Sequence, residues 1–345
     1  MSNTINFSES QMSKRVKLSD VVPLEKPFTV NFSVSNICNL RCEYCTFTDS
    51  KTRKEKASLS NRGIMDMSLF IRAVDDIKKS FGHIKQVVLV GGGEPLLNPN
   101  IADMVLYIKK QDIADRIDIV TNGVALTEKL SDQLIENGLT YLRVSVNGLS
   151  DDDFKKYTSI KVDFEKYIKR LTYFFEHRAE TKIYVKIINY MVATNKRKKL
   201  FYNIFTPICD IINIENLHTY GGDKVDYGKI VDTAILNRAK FYNKKFKTNI
   251  CSMPFYYINI DTDGSVYPCC ESVTSIDYDA MGNIMNDSLK NIWNNKILRF
   301  QRKMLNGIDN MPYCKSCTSA SAWVRPEDIL DDHVKEIVER FDKNI

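Results

Sequence analysis

Hydrophobic spacing along the chain switches repeatedly between a period of two and a period near 3.6. The run from Phe28 to Val34 alternates as a half-buried strand does. Leu69, Phe70, Ala73, Val74, Ile77 and Phe81 then recur at helical spacing, with Asp66 placed to cap that helix. Gln86 to Val90 is a short buried-type strand running into Gly91-Gly92-Gly93-Glu94-Pro95. Asn98-Pro99 opens a helix carrying Ile101, Met104, Val105 and Ile108. The third strand, Ile117 to Val120, ends in Thr121-Asn122-Gly123, and a helix capped by Thr127 and closed by Gly138 follows. Tyr141 to Val146, Lys182 to Ile188 and Ile211 to Leu217 read as three further strands, with a helix from Phe164 to Phe175.

Strand–helix units of this length imply an α/β fold with a parallel sheet and right-handed crossovers, and six of them make an open or partial barrel. In such folds the working residues sit at the carboxyl ends of strands. The loop after the first strand, the glycine run, Thr121-Asn122-Gly123 and the run ending in Asn147-Gly148 all fall there. Further on, Tyr257 to Ile260 alternates, Asp261-Thr262-Asp263-Gly264 reads as a hairpin turn, and Ser265 to Pro268 returns. Asp287 to Trp293 and Lys296 to Leu305 read as helices, and Asp328 to Phe341 as an amphipathic helix lying on the barrel. The expected division is an N-terminal arm (1–26), a barrel (27–230), a small hairpin-plus-helix domain (231–327) and a C-terminal helix (328–345).

With 345 residues, 43% of them hydrophobic, the chain can bury a large core. A net charge of +6 is too small to argue for nucleic acid, although it suits an acidic electron-donor protein. Met1 to Asp20 is polar and lacks a signal-peptide core, and no apolar run approaches membrane-spanning length. A soluble, cytoplasmic protein with no membrane partner is expected. Nine cysteines, an odd and clustered set, suggest metal ligation in a reducing compartment. Lys51, Arg53, Lys54, Lys56 and Arg62 lie in a polar stretch that reads as a solvated loop, or as a cover attracting an anionic substrate group.

Cys38, Cys42 and Cys45 stand at i, i+4 and i+7 directly after the first strand. A four-iron cube held by three thiolates keeps one iron open to a small molecule. On a helix the same spacing would instead give a buried core stripe, a reading opposed by the interleaved Asn36, Asn39, Arg41 and Glu43. The Cys-x3-Cys-x2-Cys motif, with Tyr44 before its third cysteine, resembles the signature of the radical S-adenosylmethionine (SAM) enzymes. That family has a partial (β/α)6, TIM-like barrel, and the resemblance spans most of the expected barrel. It implies a [4Fe-4S] cluster on Cys38, Cys42 and Cys45, SAM bound at the open iron, and a flavodoxin- or ferredoxin-type electron donor. The radical made from SAM would abstract hydrogen from substrate.

The resemblance also implies cofactor contacts. The family's GGEP motif maps onto Gly92, Gly93, Glu94 and Pro95. Ser145 and Asn147 correspond to residues that hydrogen-bond the ribose or carboxylate of SAM, Thr121 and Asn122 line the same cleft, and Tyr44 packs on the adenine. Read without it, the glycines suit a plain turn, the polar strand-end residues suit turn formation, and Tyr44 suits a core position.

The expected hairpin brings Cys251 near Cys269, and Cys314-Lys315-Ser316-Cys317 offers two more thiols. Four thiolates complete either one cube or a zinc site. Gly264-x4-Cys269, a gap, the run Ser288 to Trp293 and a final Cys-x2-Cys resemble the SPASM extension of radical SAM enzymes. No cysteine follows Cys317, so the likeness is to the shortened one-cluster form, called twitch, known from aminocyclitol dehydrogenases. It implies an auxiliary [4Fe-4S] cluster on Cys251, Cys269, Cys314 and Cys317. Cys270 is the alternative to Cys269, and Cys209 reads as a buried small hydrophobe.

A closed second cluster favours electron transfer over substrate coordination. The expected activity is a radical SAM oxidoreductase performing a two-electron oxidation of a small-molecule alcohol, such as a sugar, a cyclitol or a nucleotide-linked alcohol. His218, just past the sixth strand, has a suitable resting pKa for the proton acceptor, or is an ordinary loop histidine. Two other classes stand beside this one. One is modification of a ribosomal peptide or protein, against which the short arm counts; the other is a non-enzymatic, zinc-bearing binding module.

Overall fold

All six strands expected from the hydrophobic pattern form, and each alternates between the two faces of one sheet. They are β2 (Thr29–Ser33), β3 (Ile84–Val90), β4 (Ala114–Thr121), β5 (Tyr141–Val146), β6 (Lys182–Ile188) and β7 (Ile211–Glu215), with β1 (Ile5–Asn6) before them and β8 (Tyr257–Ile260), β9 (Ser265–Tyr267) and β10 (Gly282–Asn283) after. The computed structural model describes residues 15–48, 63–218, 225–231, 238–242, 244, 246–270, 279–311, 314–315, 317 and 319–343, and the backbone of 5–6. The ten strands lie in the order β1-β7-β6-β5-β4-β3-β2-β8-β9-β10, and every pair from β7 across to β2 is parallel. This is the open, partial barrel of the expected α/β class.

Between these strands run helices α1 (Met67–Phe81), α2 (Ile101–Gln111), α3 (Glu128–Glu136), α4 (Asp151–Thr158), α5 (Phe164–His177) and α6 (Asn195–Phe205). Hydroxyl and carboxylate caps start several of them. Thr127 accepts from Leu130 N at 3.2 Å, Ser150 from Asp153 N at 3.2 Å and Asp163 from Lys166 N at 3.0 Å. Val30, Phe32, Val87, Leu89, Ile117, Ile119, Leu142, Val144, Ile183 and Val185 make up the sheet's buried apolar face toward the helices. Phe32 meets Phe70 of α1 at 4.8 Å between ring centroids. Each such side chain contributes ~1.5–3 kcal/mol by leaving water, so strand register is strongly held. The intervening positions Asn31, Ser33, Gln86, Arg143, Ser145, Lys186 and Glu215 face the barrel interior, because side chains alternate along a strand.

The remaining segments depart from expectation in four places. The hairpin from 257 to 267 does not stand apart: β8 runs parallel to β2 with Thr29 opposite Tyr257 and Phe32 opposite Ile260, and β9 follows antiparallel. An exposed edge at β2 would leave its N–H and C=O groups unpaired, and β8 covers it. The N-terminal arm, expected to be loosely ordered, is held where it is described: Ile5–Asn6 pairs with β7, and Leu18 and Val22 are buried with Phe255, Leu330 and Phe341. The two expected helices near 290–305 merge into one rod through a π-helical turn, Ile292–Ile297, where buried Trp293 donates to Leu24 O at 2.9 Å. Finally, the C-terminal helix starts only at Val334, because the Asp331 carboxylate instead accepts from Asn249 N and Thr248 Oγ1.

Candidate active site: two thiol groups and the cavity between them

Cys38, Cys42 and Cys45 lie on a loop without α-helix, half-buried at the carboxyl end of β2, so they form no core stripe on a helix. Backbone bonds tie this loop to the end of α4: Arg41 N donates to Thr158 O at 3.0 Å and Glu43 N to Tyr157 O at 3.1 Å. Burial pushes the Cys42 thiol well up, and the nearby Cys45 and Cys38 push it further, so three thiolates here need a cationic centre among them. The glycine run supplies the close approach. A Cβ on Gly91 or Gly93 would run into the carbonyl oxygens of Ser35 and Ile37, and one on Gly92 into the Phe47 ring. Gly93 N and Glu94 N bond Ser35 O and Ile37 O at 2.9 and 2.7 Å, closing β3 against the thiol loop.

Glu94 and Pro95 are buried behind the site. The Glu94 carboxylate accepts from Leu96 N at 3.0 Å, Asn122 N at 2.7 Å and the Thr121 hydroxyl, which ties the ends of β3 and β4 together. Burial pushes its pKa up to about 7 against the pull of those three donors. Asn122 Nδ2 reaches Asn39 Oδ1 at 2.8 Å and Cys38 Sγ at 3.9 Å. Tyr44 donates to Asn147 Oδ1 at 2.8 Å. Of the expected cofactor contacts, Tyr44, Gly92 and Ser145 line the interior cavity. Gly93, Glu94, Pro95, Thr121, Asn122 and Asn147 stand behind it and hold the thiol loop, the strand ends and Tyr44 in place.

The second thiol group is assembled from three segments. Cys251 precedes the turn into β8, Cys269 follows β9, and Cys314 and Cys317 share a turn closed by Cys317 N to Cys314 O at 2.9 Å. Burial pushes the Cys251 thiol well up, with Cys269, Cys317 and Cys314 all adding, so the four expected residues are neighbours. Cys270 points elsewhere: its Sγ lies 3.7 Å from Met253 Sδ and it lines the cavity. None of the nine cysteines is in a disulfide. Among the described residues, no three His, Cys, Asp or Glu side chains converge on a single metal ion. Donor type and number fit one cube with an open corner and one closed cube. Cys209 is a fully buried small side chain, its thiol pushed up to about 12 by burial.

A cavity of about 440 Å³ fills the barrel interior, with Cys45, Gly91 and Gly92 on one wall and Cys270 and Met253 on another. Buried Glu215 accepts from Tyr184 at 2.8 Å and pairs with Lys186 at 3.2 Å and Lys240 at 3.3 Å. Burial would raise its pKa, but the two ammonium groups and the tyrosine bring it down to about 2. Arg143, which the sequence leaves free to face either way, points inward onto Asp118. His218 corrects an expectation: burial and the Lys240 ammonium hold it down at about 3, and it does not line the cavity. A neutral imidazole so reluctant to take a proton is a poor general base. Lys186 and Glu215 were legible as polar residues in apolar strands, whereas Lys240, Trp323 and Arg325 carried no sequence signal. The basic stretch 49–62 lies outside the described residues.

An open parallel barrel with a thiol loop at the end of its leading strand, and a second thiol group beside it, defines a class of radical-generating iron–sulfur enzymes. The model of the radical SAM superfamily matches residues 32–193, and that of the SPASM iron–sulfur cluster-binding domain matches 251–318. This chain belongs to the radical SAM enzymes that carry a SPASM domain, a group that works with SAM and [4Fe-4S] clusters. It is 30% identical over 181 residues to a GTP 3',8-cyclase of Clostridium perfringens, spanning 52% of this chain and about half of that relative (51%). In fold it resembles SuiB of Streptococcus suis bound to S-adenosylmethionine, with a TM-score of 0.63, 14% identity, and 90% and 79% of the two chains covered. BtrN in complex with AdoMet and 2-DOIA gives a TM-score of 0.54 at 20% identity, covering 87% of this chain and 96% of BtrN. Among the described residues, no helix is long and apolar enough to cross a membrane.

Proposed function

We propose that this enzyme carries out a two-electron oxidation of a small-molecule alcohol. Cys38, Cys42 and Cys45 hold the SAM-binding cluster, and Cys251, Cys269, Cys314 and Cys317 hold an auxiliary cluster. When bound, these groups supply a hydrogen-abstracting radical on one side of the substrate and an electron acceptor on the other. The observation that carries the reading is the cavity itself. Its volume of about 440 Å³ is of small-molecule size, and it is lined by Cys45 of the first thiol group and by Cys270, the chain neighbour of Cys269.

The chain's own residues bind, orient and exclude water. Tyr44, Gly92 and Ser145 form the wall toward the cofactor, with Asn147 fixing Tyr44 from behind. Asn31, Ser33 and Asn259 offer neutral donors and acceptors for hydroxyl groups across the floor. Four thiolates close the second site, which leaves no corner for substrate and suits it to taking an electron. The test separates the two sites. With a deuterated substrate, label should pass into 5′-deoxyadenosine. In Cys314→Ala and Cys317→Ala variants that transfer should persist while oxidised product disappears; undiminished product would refute the assigned role.

A further inference from the structure

Just past β4, hydrogen bonds converge on one asparagine in greater number than its turn requires. Asn122 is buried, and its backbone is held from two sides. Its N–H donates to Glu94 Oε2 at 2.7 Å, and its carbonyl accepts from the buried Tyr167 hydroxyl of α5 at 3.2 Å. Its side-chain Oδ1 accepts from Val124 N at 2.9 Å, the bond of an Asx turn. Gly123 takes a φ of +76° in that turn, where a Cβ would crowd Tyr167 and Val144.

These bonds decide which way the amide faces. A backbone N–H can only donate, so the Asn122 oxygen must lie toward Val124 and its NH2 group toward the thiol loop. There Nδ2 donates to Asn39 Oδ1 at 2.8 Å and to Cys38 Sγ at 3.9 Å. Leu40 N reaches the same sulfur at 3.4 Å, so Cys38 faces one backbone donor and one side-chain donor. Cys42 is treated in the opposite way. Its Sγ lies 3.7 Å from Asn147 Oδ1, an oxygen that already accepts from Tyr44 at 2.8 Å. Asn147 Nδ2 is turned away onto Ser145 O at 3.0 Å. Asparagines at neighbouring strand ends thus offer a donor to one sulfur and an acceptor to the next. The turn uses only the Asn122 oxygen, which leaves the NH2 group for the loop. A charged sulfur strengthens an N–H bond to it, and such bonds draw charge from a ligand sulfur and make a cluster easier to reduce.

We propose that Asn122 is a positioning residue for the first thiol group, whose Nδ2–H holds Cys38 and Asn39 and raises the reduction potential of the cluster bound there. This rests on the proposed assignment of Cys38, Cys42 and Cys45 as the ligands of that cluster.

Asn122→Ser and Asn122→Asp test it in the anaerobically reconstituted full chain. Each keeps an oxygen able to accept from Val124 N, and neither offers the sulfur an N–H. Redox titration followed by electron paramagnetic resonance reads the clusters separately. The signal that changes on adding SAM belongs to the first thiol group, and the other serves as an internal reference. At a fixed potential, the ratio of reduced to oxidised first cluster should fall about fivefold in Asn122→Ser, a midpoint about 40 mV more negative. Asn122→Asp should shift it further, because its carboxylate sets a negative charge beside the sulfur. Iron content and the reference midpoint should match the parent. Release of 5′-deoxyadenosine should slow with dithionite and recover with the stronger reductant titanium(III) citrate. An unmoved midpoint of the SAM-sensitive signal in both variants overturns the inference. So does loss of iron from Asn122→Ser, which would make the side chain a brace alone. A parent protein without any SAM-sensitive signal would overturn the ligand assignment as well.

Discussion

The two thiol groups are built in opposite ways. Cys38, Cys42 and Cys45 come from one loop, and their arrangement is set by local chain geometry, with the glycine run and α4 pinning it from both sides. Cys251, Cys269, Cys314 and Cys317 come from three segments and meet only because β8 docks on β2 and the rod of residues 289–304 packs over Phe255. A site written into one loop tolerates distant change. A site assembled from three segments depends on the whole C-terminal packing, and its occupancy should follow the stability of that part of the molecule.

The largest effect should come from the loop. Cys42→Ala is expected to bring 5′-deoxyadenosine formation to background and reduce iron from about eight to about four per chain, measured on anaerobic protein. The assembled site sharpens the contrast through adjacent residues. Cys269→Ala should lose about four irons while Cys270→Ala keeps them all, since Cys269 neighbours Cys251 and Cys270 faces the cavity. Equal loss in both variants would break the distinction.

Glu215 comes next. Glu215→Gln leaves Lys186 and Lys240 buried without their shared carboxylate and should cost ~3–5 kcal/mol, read as a lower denaturation midpoint. The sign with pH follows from its lowered pKa. The stabilisation from Glu215 is fully present above its ordinary value of 4.5 and is lost as pH falls through about 2. The Gln variant should therefore lack that part of the acid-induced loss. The smallest effect belongs to Tyr44→Phe, which removes a 2.8 Å bond to Asn147 worth about 1 kcal/mol and should raise the KM for SAM by ~3–10-fold.

The two regions also differ in how much of each could be read from the chain. The barrel strands and the helices between them were legible because each carries its own periodicity, and burial on one face enforces it. The loop thiols and the glycine run were legible because both sit at a strand end and act within one segment. The spacing from Gly264 favours Cys269 over Cys270, but spacing does not say where either thiol points, because neighbouring residues near a strand end point to opposite sides and only the fold says which side holds the partners. His218 was read by its ordinary pKa, which burial beside Lys240 changes.

The amino-acid order thus determined the α/β barrel, the triple-thiol loop and the presence of a second metal-binding set, since all three depend on spacing over short stretches. Tertiary structure decided that the hairpin extends the barrel sheet, that Glu94 braces two strand ends, and that Lys240, Trp323 and Arg325 line the cavity with Cys270. The reason is physical. Periodicity and motif spacing are local quantities, whereas charge balance in a cavity is a sum over residues that meet only when distant segments pack together.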